Sequence, residues 1–356
     1  MTDLDQPDVY SRLDPTRLLD RIAGLADQCR QAWEEGSAFH LPEAYAGAQA
    51  VVLLGMGGSA IGGDLIEGLA SLEKGPPVTV PRDYKLPSWV GPDTLAIASS
   101  HSGNTEETLA MYREARDKGA LLVAVTGGGS LARLAQQDGV PLFTVPYQGE
   151  PRSAVGYSFV VPLALLCGLS LLPDKANDLT EAVQVMTSVA AALAPDVPQA
   201  QNPAKTVAAS LHNRLPVVYG AGFLSGVARR WKTQLNENSK VWAFWEELPE
   251  LDHNTVEGYA LSRGVKEQTA VVLLHSSFLH TRTSLRYQAT EDLLDQQGIP
   301  CRRLEGVGDT PLSHLLTTVL LGDHVSYYLA MLNGVDPAPM PAIEHLKERL
   351  DRAEKT

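Results

Sequence analysis

Residues 95–109 read LAIASSHSGNTEETL, and the architecture turns on them. The apolar run 95–98 predicts a strand, which breaks into Ser99, Ser100, His101, Ser102, Gly103, Asn104 and Thr105 before an amphipathic helix from Glu106. Strand, polar loop and helix make an anion cup. The first amides of a helix have no internal acceptor, and the macrodipole places partial positive charge beside them. Two readings are open for the hydroxyls. Ser102 or Thr105 caps the helix, with Glu106 or Glu107 completing a capping box, or the turn holds an anion such as a phosphate. Three hydroxyls around Gly103 exceed what a cap needs, which favours the anion.

Upstream, the apolar run 50–54 ends in Gly55, Met56, Gly57, Gly58 and Ser59, and a helical pattern resumes over 60–72. The loop also matches the dinucleotide pattern Gly-x-Gly-x-x-Ala through Gly55, Gly57 and Ala60, but Asp83 falls late for the acidic partner that such a site needs. Doubled glycines point instead to backbone held close to a small ligand and to a helix packed tightly on its strand. Further strands at 121–125 and 142–145 alternate with helices, so a parallel sheet covered on both faces is expected. A helix is expected over 15–36 and a largely apolar one from Arg152 to about Leu172.

After Pro203 the pattern is replayed. Residues 216–222 and a helix from Phe223 answer 51–57, residues 241–244 followed by 246–249 answer 78–87, and 270–277 answer the opening stretch. The second copy has Phe278, Leu279 and His280 in place of the Ser-Gly-Asn-Thr turn, so one cup per chain is expected.

The chain has 356 residues, 44% hydrophobic and 20% charged, with a formal net charge of −13. That charge argues against nucleic acid or an anionic membrane as partner, and an anionic substrate must be held by local donors. Cys29, Cys167 and Cys301 are few and widely spaced, giving neither a disulfide framework nor a zinc pattern. His275 and His280 lack ligand spacing, so no metal is expected. Residues 1–10 carry no apolar signal core and 160–172 is too short to span a bilayer, which points to the cytoplasm.

Three side chains sit oddly. Glu237 ends a predicted helix, where the dipole raises a carboxylate's pKa and suits it to accept and return a proton; the plain alternative is a solvated turn residue. Arg152 stands at the start of a helix, where a cation is disfavoured, and is either functional or paired with Glu150. Lys347 falls on the apolar stripe with Ile343 and Leu350, either snorkelling or buried for a purpose. His253, in a loop, reads locally as surface.

Together these stretches resemble the sugar isomerase (SIS) family, most closely its bifunctional phosphoglucose/phosphomannose isomerases. The resemblance rests on GMGGSAIGGD (55–64), SSHSGNTEET (99–108), Pro151-Arg152, NENSK (236–240), His253-Asn254 and Ile343-x-x-Leu346-Lys347, and it covers the chain from about residue 40. It implies an α/β fold of two tandem sugar isomerase subdomains, each a five-stranded parallel sheet flanked by helices. The segments are then 1–40 (N-terminal helices), 41–150 (first, phosphate-binding subdomain), 151–203 (linking helices), 204–335 (second subdomain) and 336–356 (a C-terminal helix returning to the active site). It implies a homodimer with sites at its interface, no cofactor, and a hexose 6-phosphate held by Ser59, Ser100, Ser102 and Thr105 with Gly57 and Gly58. Glu237 is then the base, His253 from the neighbouring subunit and Lys347 assist ring opening, and Arg152 steadies the enediolate. His101 stands where the family usually has Tyr and is expected to face away from the phosphate. The activity implied is interconversion of glucose 6-phosphate, and of mannose 6-phosphate, with fructose 6-phosphate. Its rivals are a non-catalytic sugar-phosphate sensor and an isomerase of an amino or otherwise modified sugar phosphate.

Overall fold

The structure, a computed structural model, describes residues 2–260 and 264–353; the last three residues of the expected segment 336–356 lie outside the described residues. The chain opens with α1 (Asp8–Leu13), α2 (Leu18–Ala23) and α3 (Leu25–Ser37). The single helix expected over 15–36 is thus divided. Gly24, which ends α2, breaks it, and the Asp14 carboxylate starts α2 by accepting the amides of Leu18 and Leu19 at 2.8 and 3.0 Å.

The first subdomain follows as β1 (Ala50–Leu54), α4 (Gly57–Ala70), β2 (Val78–Thr79), β3 (Thr94–Ser100), α5 (Glu106–Asp117), β4 (Leu121–Thr126), α6 (Gly129–Asp138) and β5 (Leu142–Thr144). Its five strands are parallel in the order β2-β1-β3-β4-β5, with Leu95 opposite both Val51 and Leu121. All seven residues of β3 are buried, as a central parallel strand with both faces covered requires. Alternation along β1 divides the packing. Val51 and Leu53 join a core continuous with the second subdomain, whereas Val52 and Leu54 face a separate cluster with Met111, Tyr112 and Leu131.

Linking helices α7 (Val155–Gly168), α8 (Ala176–Ala192) and α9 (Pro203–Leu211) lead to β6 (Leu215–Ala221), α10 (Ser225–Glu237), β7 (Phe244–Leu248), α11 (Val265–Gln268), β8 (Thr269–His275), α12 (Thr281–Gln296), β9 (Cys301–Glu305), α13 (Pro311–Asn333) and α14 (Pro341–Ala353). The second sheet is parallel in the order β7-β6-β8-β9. It repeats the first strand for strand, and Gly57 and Gly222 even share φ +52° after the first strand of each. It departs in having four strands among the described residues, not five. After β9 the chain turns onto α13: the Val307 amide donates to Thr317 Oγ1 at 2.9 Å, and a Cβ on Gly306 would lie 2.6 Å from His314 Cβ. In the first sheet the fifth strand follows α6; in the second, the segment after α13 instead runs straight into α14, with the carbonyls of Pro337 and Ala338 taken by Arg152. The strand expected over 241–244 begins only at Phe244, because the Val241 carbonyl is taken by Asn236 Nδ2 at 2.8 Å.

The two halves meet through glycines. A Cβ on Gly226 would sit 2.9 Å from the Asp64 carbonyl carbon, and one on Gly68 2.8 Å from the Phe223 oxygen, so α4 and α10 cross backbone against backbone. Likewise a Cβ on Gly62 would be 2.1 Å from the Ser158 oxygen of α7. α13 is long and apolar enough to cross a membrane by composition, but it is buried among α8, α9 and α10 of this chain. α14 is the contrary case. Its residues 341–350 are all exposed, including Ile343, Leu346 and Leu350 at i, i+3 and i+7.

Candidate active site

The opening stretch folds into a compact turn at the carboxyl end of β3, where open α/β sheets bind ligands. Ser100 Oγ accepts the Gly103 amide at 3.1 Å and lies 3.0 Å from Thr105 Oγ1. Gly103 has φ +67°, and a Cβ there would fall 1.8 Å from the Gly128 oxygen, so only glycine fits. Thr105 stands at the N-cap of α5 but makes no side-chain cap, and Ser102 Oγ accepts the amide of Asn104, outside the helix. The capping reading therefore fails for both. Ser59, in the first turn of α4, faces the same loop and accepts the His101 amide at 3.3 Å. The His101 ring packs edge-on against Tyr147 with centroids 6.2 Å apart.

Gly58 lets the next segment approach. A Cβ there would be 2.8 Å from the Pro151 oxygen and 3.1 Å from Arg152 Cα. Arg152 lies in the 3-10 turn Pro151–Ser153 and is 2% exposed. Its pairing with Glu150 does not form, since Glu150 is taken by Arg21 through bonds of 2.8 and 2.9 Å. Arg152 instead donates from Nε to Asn238 Oδ1 at 2.7 Å, from Nη2 to the carbonyls of Pro337 and Ala338 at 2.9 Å each, and from Nη1 to Met340 Sδ at 3.3 Å. Its Nη1 is 4.0 Å from Glu237 Oε2.

Glu237 is the last residue of α10. Burial pushes its carboxyl above the usual range, opposed first by the charge of Arg152 and then by Arg230, Lys240 and Lys232. A carboxylate so placed can take a proton from carbon and give it back, with a fixed cation beside it. Two other polar groups complete the frame. Arg230 donates to the Arg152 carbonyl at 3.0 Å while paired with Asp323 at 2.6 Å, and Lys240 reaches the carbonyls of Pro337 and Glu237.

Contacts thus run from Ser100 and Thr105 in the turn through Ser59 and Gly58 at the start of α4 to Arg152 and Glu237, with Ser102 in the same turn and Gly57 next to Gly58. The structure does not bring His253 or Lys347 there. His253 ends the 3-10 turn Glu250–His253, exposed, and among the described residues its side chain makes no hydrogen bond or ion pair to the other site residues. Lys347 stands exposed on α14. Sequence reasoning missed Asn238 and Lys240 as site residues, although both lie in the NENSK stretch beside Glu237; Arg230 and Asp323 carry no local signal at all. Among the described residues no three His, Cys, Asp or Glu gather as metal ligands would.

The fold matches solved sugar-phosphate proteins over nearly its whole length. A glucose-6-phosphate isomerase like protein of Thermus thermophilus superposes with a TM-score of 0.64 at 20% identity, over 98% of this chain and 99% of that one. A tagatose-6-phosphate ketose/aldose isomerase of Escherichia coli gives 0.60 at 18% identity, over 93% and 92%. By that fold, and by the family match of its second half, this is a SIS-domain protein.

Residues 200–350 match the family described as the bacterial phospho-glucose isomerase C-terminal SIS domain. The bifunctional phosphoglucose/phosphomannose isomerase of Caldicellulosiruptor bescii is 37% identical over 334 residues, 94% of this chain and 98% of that protein; that of Aquifex aeolicus is 33% identical over 304 residues, 85% and 90%. The chain belongs to the family of bifunctional phosphoglucose/phosphomannose isomerases.

Proposed function

We propose that this chain interconverts glucose 6-phosphate and mannose 6-phosphate with fructose 6-phosphate through a cis-enediolate. The observation that carries the reading is Glu237 and buried Arg152, 4.0 Å apart, beside a turn of uncapped helix amides and hydroxyls. The amides at the start of α5 and the hydroxyls of Ser59, Ser100, Ser102 and Thr105 take the phosphate, and Gly57 and Gly58 let it approach the backbone. Held by that remote group, the sugar presents carbon 2 to Glu237. Glu237 removes the carbon 2 proton of the open-chain aldose; the electron pair forms the carbon 1–carbon 2 double bond as the carbonyl becomes an enediolate oxygen. The proton then returns to carbon 1 while the 2-hydroxyl proton passes to oxygen 1, giving the ketose with its carbonyl at carbon 2. Arg152 meets the oxygen charge, which develops in the transition state and is complete in the enediolate. Return of the proton to either face of carbon 2 gives glucose or mannose 6-phosphate.

Ring opening is assigned to Lys347 and to His253 of a second copy. The reading is supported by what each lacks within one chain. A 13-residue helix with an exposed apolar stripe is marginal in water, so α14 packs on a partner, and a homodimer is the natural one. The enzyme works where hexose phosphates are, in the cytoplasm, and no step is routed through a metal or nucleotide.

The test is transfer of solvent deuterium into fructose, glucose and mannose 6-phosphates, each supplied alone. Exchange at carbon 1 of the ketose and carbon 2 of both aldoses is expected, with loss of exchange but near-normal substrate affinity in Glu237→Gln. A wild-type chain that binds these sugars without exchange is a sensor, and the reading falls.

A further inference from the structure

We propose that Asn238 is a positioning residue that holds Arg152 in place without adding a second negative charge beside that of Glu237. This deepens the role given above to Arg152 and rests on it. A buried cation is ordinarily matched by a carboxylate. Two buried arginines meet at this site, and they are treated differently. Arg230, 1% exposed, is gripped by Asp323 through Nε at 3.1 Å and Nη2 at 2.6 Å. Arg152, 2% exposed, gives its hydrogen bonds to neutral acceptors, the Asn238 amide, the carbonyls of Pro337 and Ala338 and the Met340 thioether, while the catalytic carboxylate of Glu237 stands 4.0 Å from Nη1, beyond hydrogen-bond distance.

The orientation of Asn238 is forced. An Nε–H can only donate, so oxygen must face it, and the Asn238 amide nitrogen then donates to Ser326 Oγ at 3.0 Å. Ser326 in turn donates to the Asp323 carbonyl at 2.8 Å, tying the amide to α13. Aspartate at 238 has the same shape, and its second oxygen can accept from a rotated Ser326 hydroxyl. It makes the stronger, charge-assisted bond. It also cancels the charge that a developing oxyanion needs.

The two roles predict opposite rankings. If Asn238 only supports structure, Asn238→Ala is the worse variant, since it strips a buried donor of its acceptor. If it preserves charge, Asn238→Asp is the worse enzyme and the better-folded protein. Measured by deuterium exchange and thermal melting, we expect N238D to lose about 10²-fold in kcat, the scale of one lost oxyanion donor. N238A should lose roughly tenfold or less, with KM for both within about twofold, and N238D should bind a hydroxamate mimic of the enediolate more weakly than N238A does. Should N238D not fold, Met340→Glu places a carboxylate at the other end of the same guanidinium from a half-buried position. It must lose activity where Met340→Gln keeps it. Normal exchange by the wild type with N238A the slower enzyme, or M340E equal to M340Q, overturns this inference alone; a wild type without exchange removes the function and the inference together.

Discussion

Lys240 Nζ donates to the Pro339 carbonyl at 2.6 Å, tying the residue just past α10 to the strap that leads into α14. The same ammonium takes the Pro337 carbonyl at 3.2 Å and that of Glu237, where a cation also suits the helix's negative end. Lys240 adopts φ 57°, a left-handed conformation that a lysine holds only when its surroundings fix it.

Lys240→Met should therefore loosen the strap on one side while Arg152 still holds the other. We expect kcat to fall between about 10- and 100-fold, the cost of a small misplacement of groups around the substrate, and proteolysis to quicken at 336–341. Steady-state kinetics and timed digestion check both; unchanged digestion would show that the strap does not depend on this residue.

The acid limb of kcat/KM should lie above the ordinary glutamate value of about 4.3, because burial raises Glu237. The nearby charge of Arg152 holds that rise down. Arg152→Met must then move the limb to still higher pH as it lowers kcat. A limb that moved down would contradict the pairing.

Glu237→Gln should also be the more heat-stable protein. A carboxyl whose folded pKa is raised favours the protonated state, so its ionised form costs stability at neutral pH and the cost disappears below the unfolded value. Melting curves should separate the two proteins most near pH 8 and bring them together near pH 4.

Neighbouring glycines should fail differently. Gly58→Ala drives a methyl into the Pro151 carbonyl and the Arg152 backbone, so catalysis and about 1–3 kcal/mol of stability should be lost. Gly57→Ala meets open space at φ +52° and should cost about 1 kcal/mol of strain with smaller effect on kcat. Denaturant melts beside kinetics separate them.

If α14 seats on a second copy, Leu346→Glu should shift the protein toward monomer by light scattering, and activity should fall with it. Mixing Glu237→Gln with His253→Ala, each inactive alone, should restore about a quarter of wild-type activity, because random pairing gives half hybrids and each hybrid has one site free of both lesions. Absence of rescue would place His253 in its own subunit's site or in none.

The sequence makes legible what is local. β3 is a run of apolar residues, and its turn is a cluster of small polar ones, so strand, loop and helix follow from periodicity and from Gly103. The duplication was legible for the same reason, down to Gly57 and Gly222. What was not legible depends on distant contacts. The fifth strand of the second sheet is missing after α13, where the carbonyls of Pro337 and Ala338 go to Arg152 rather than to a neighbouring strand, and no local pattern announces that. Arg152 is oddly placed by local rules, yet its true partners Asn238, Pro337 and Ala338 lie 86, 185 and 186 residues away. The division at Gly24 needed the carboxylate of Asp14 as well as the glycine.

The absence of side chains where α4 crosses α10 has a mechanical consequence. Main chain resting on main chain leaves no compressible layer, so one half cannot swing against the other without opening a void the length of a helix. Sugar must therefore arrive at a ready-made seat, and whatever yields to admit it belongs to the proline-rich stretch at the far end of the chain rather than to a jaw made of the two sheets.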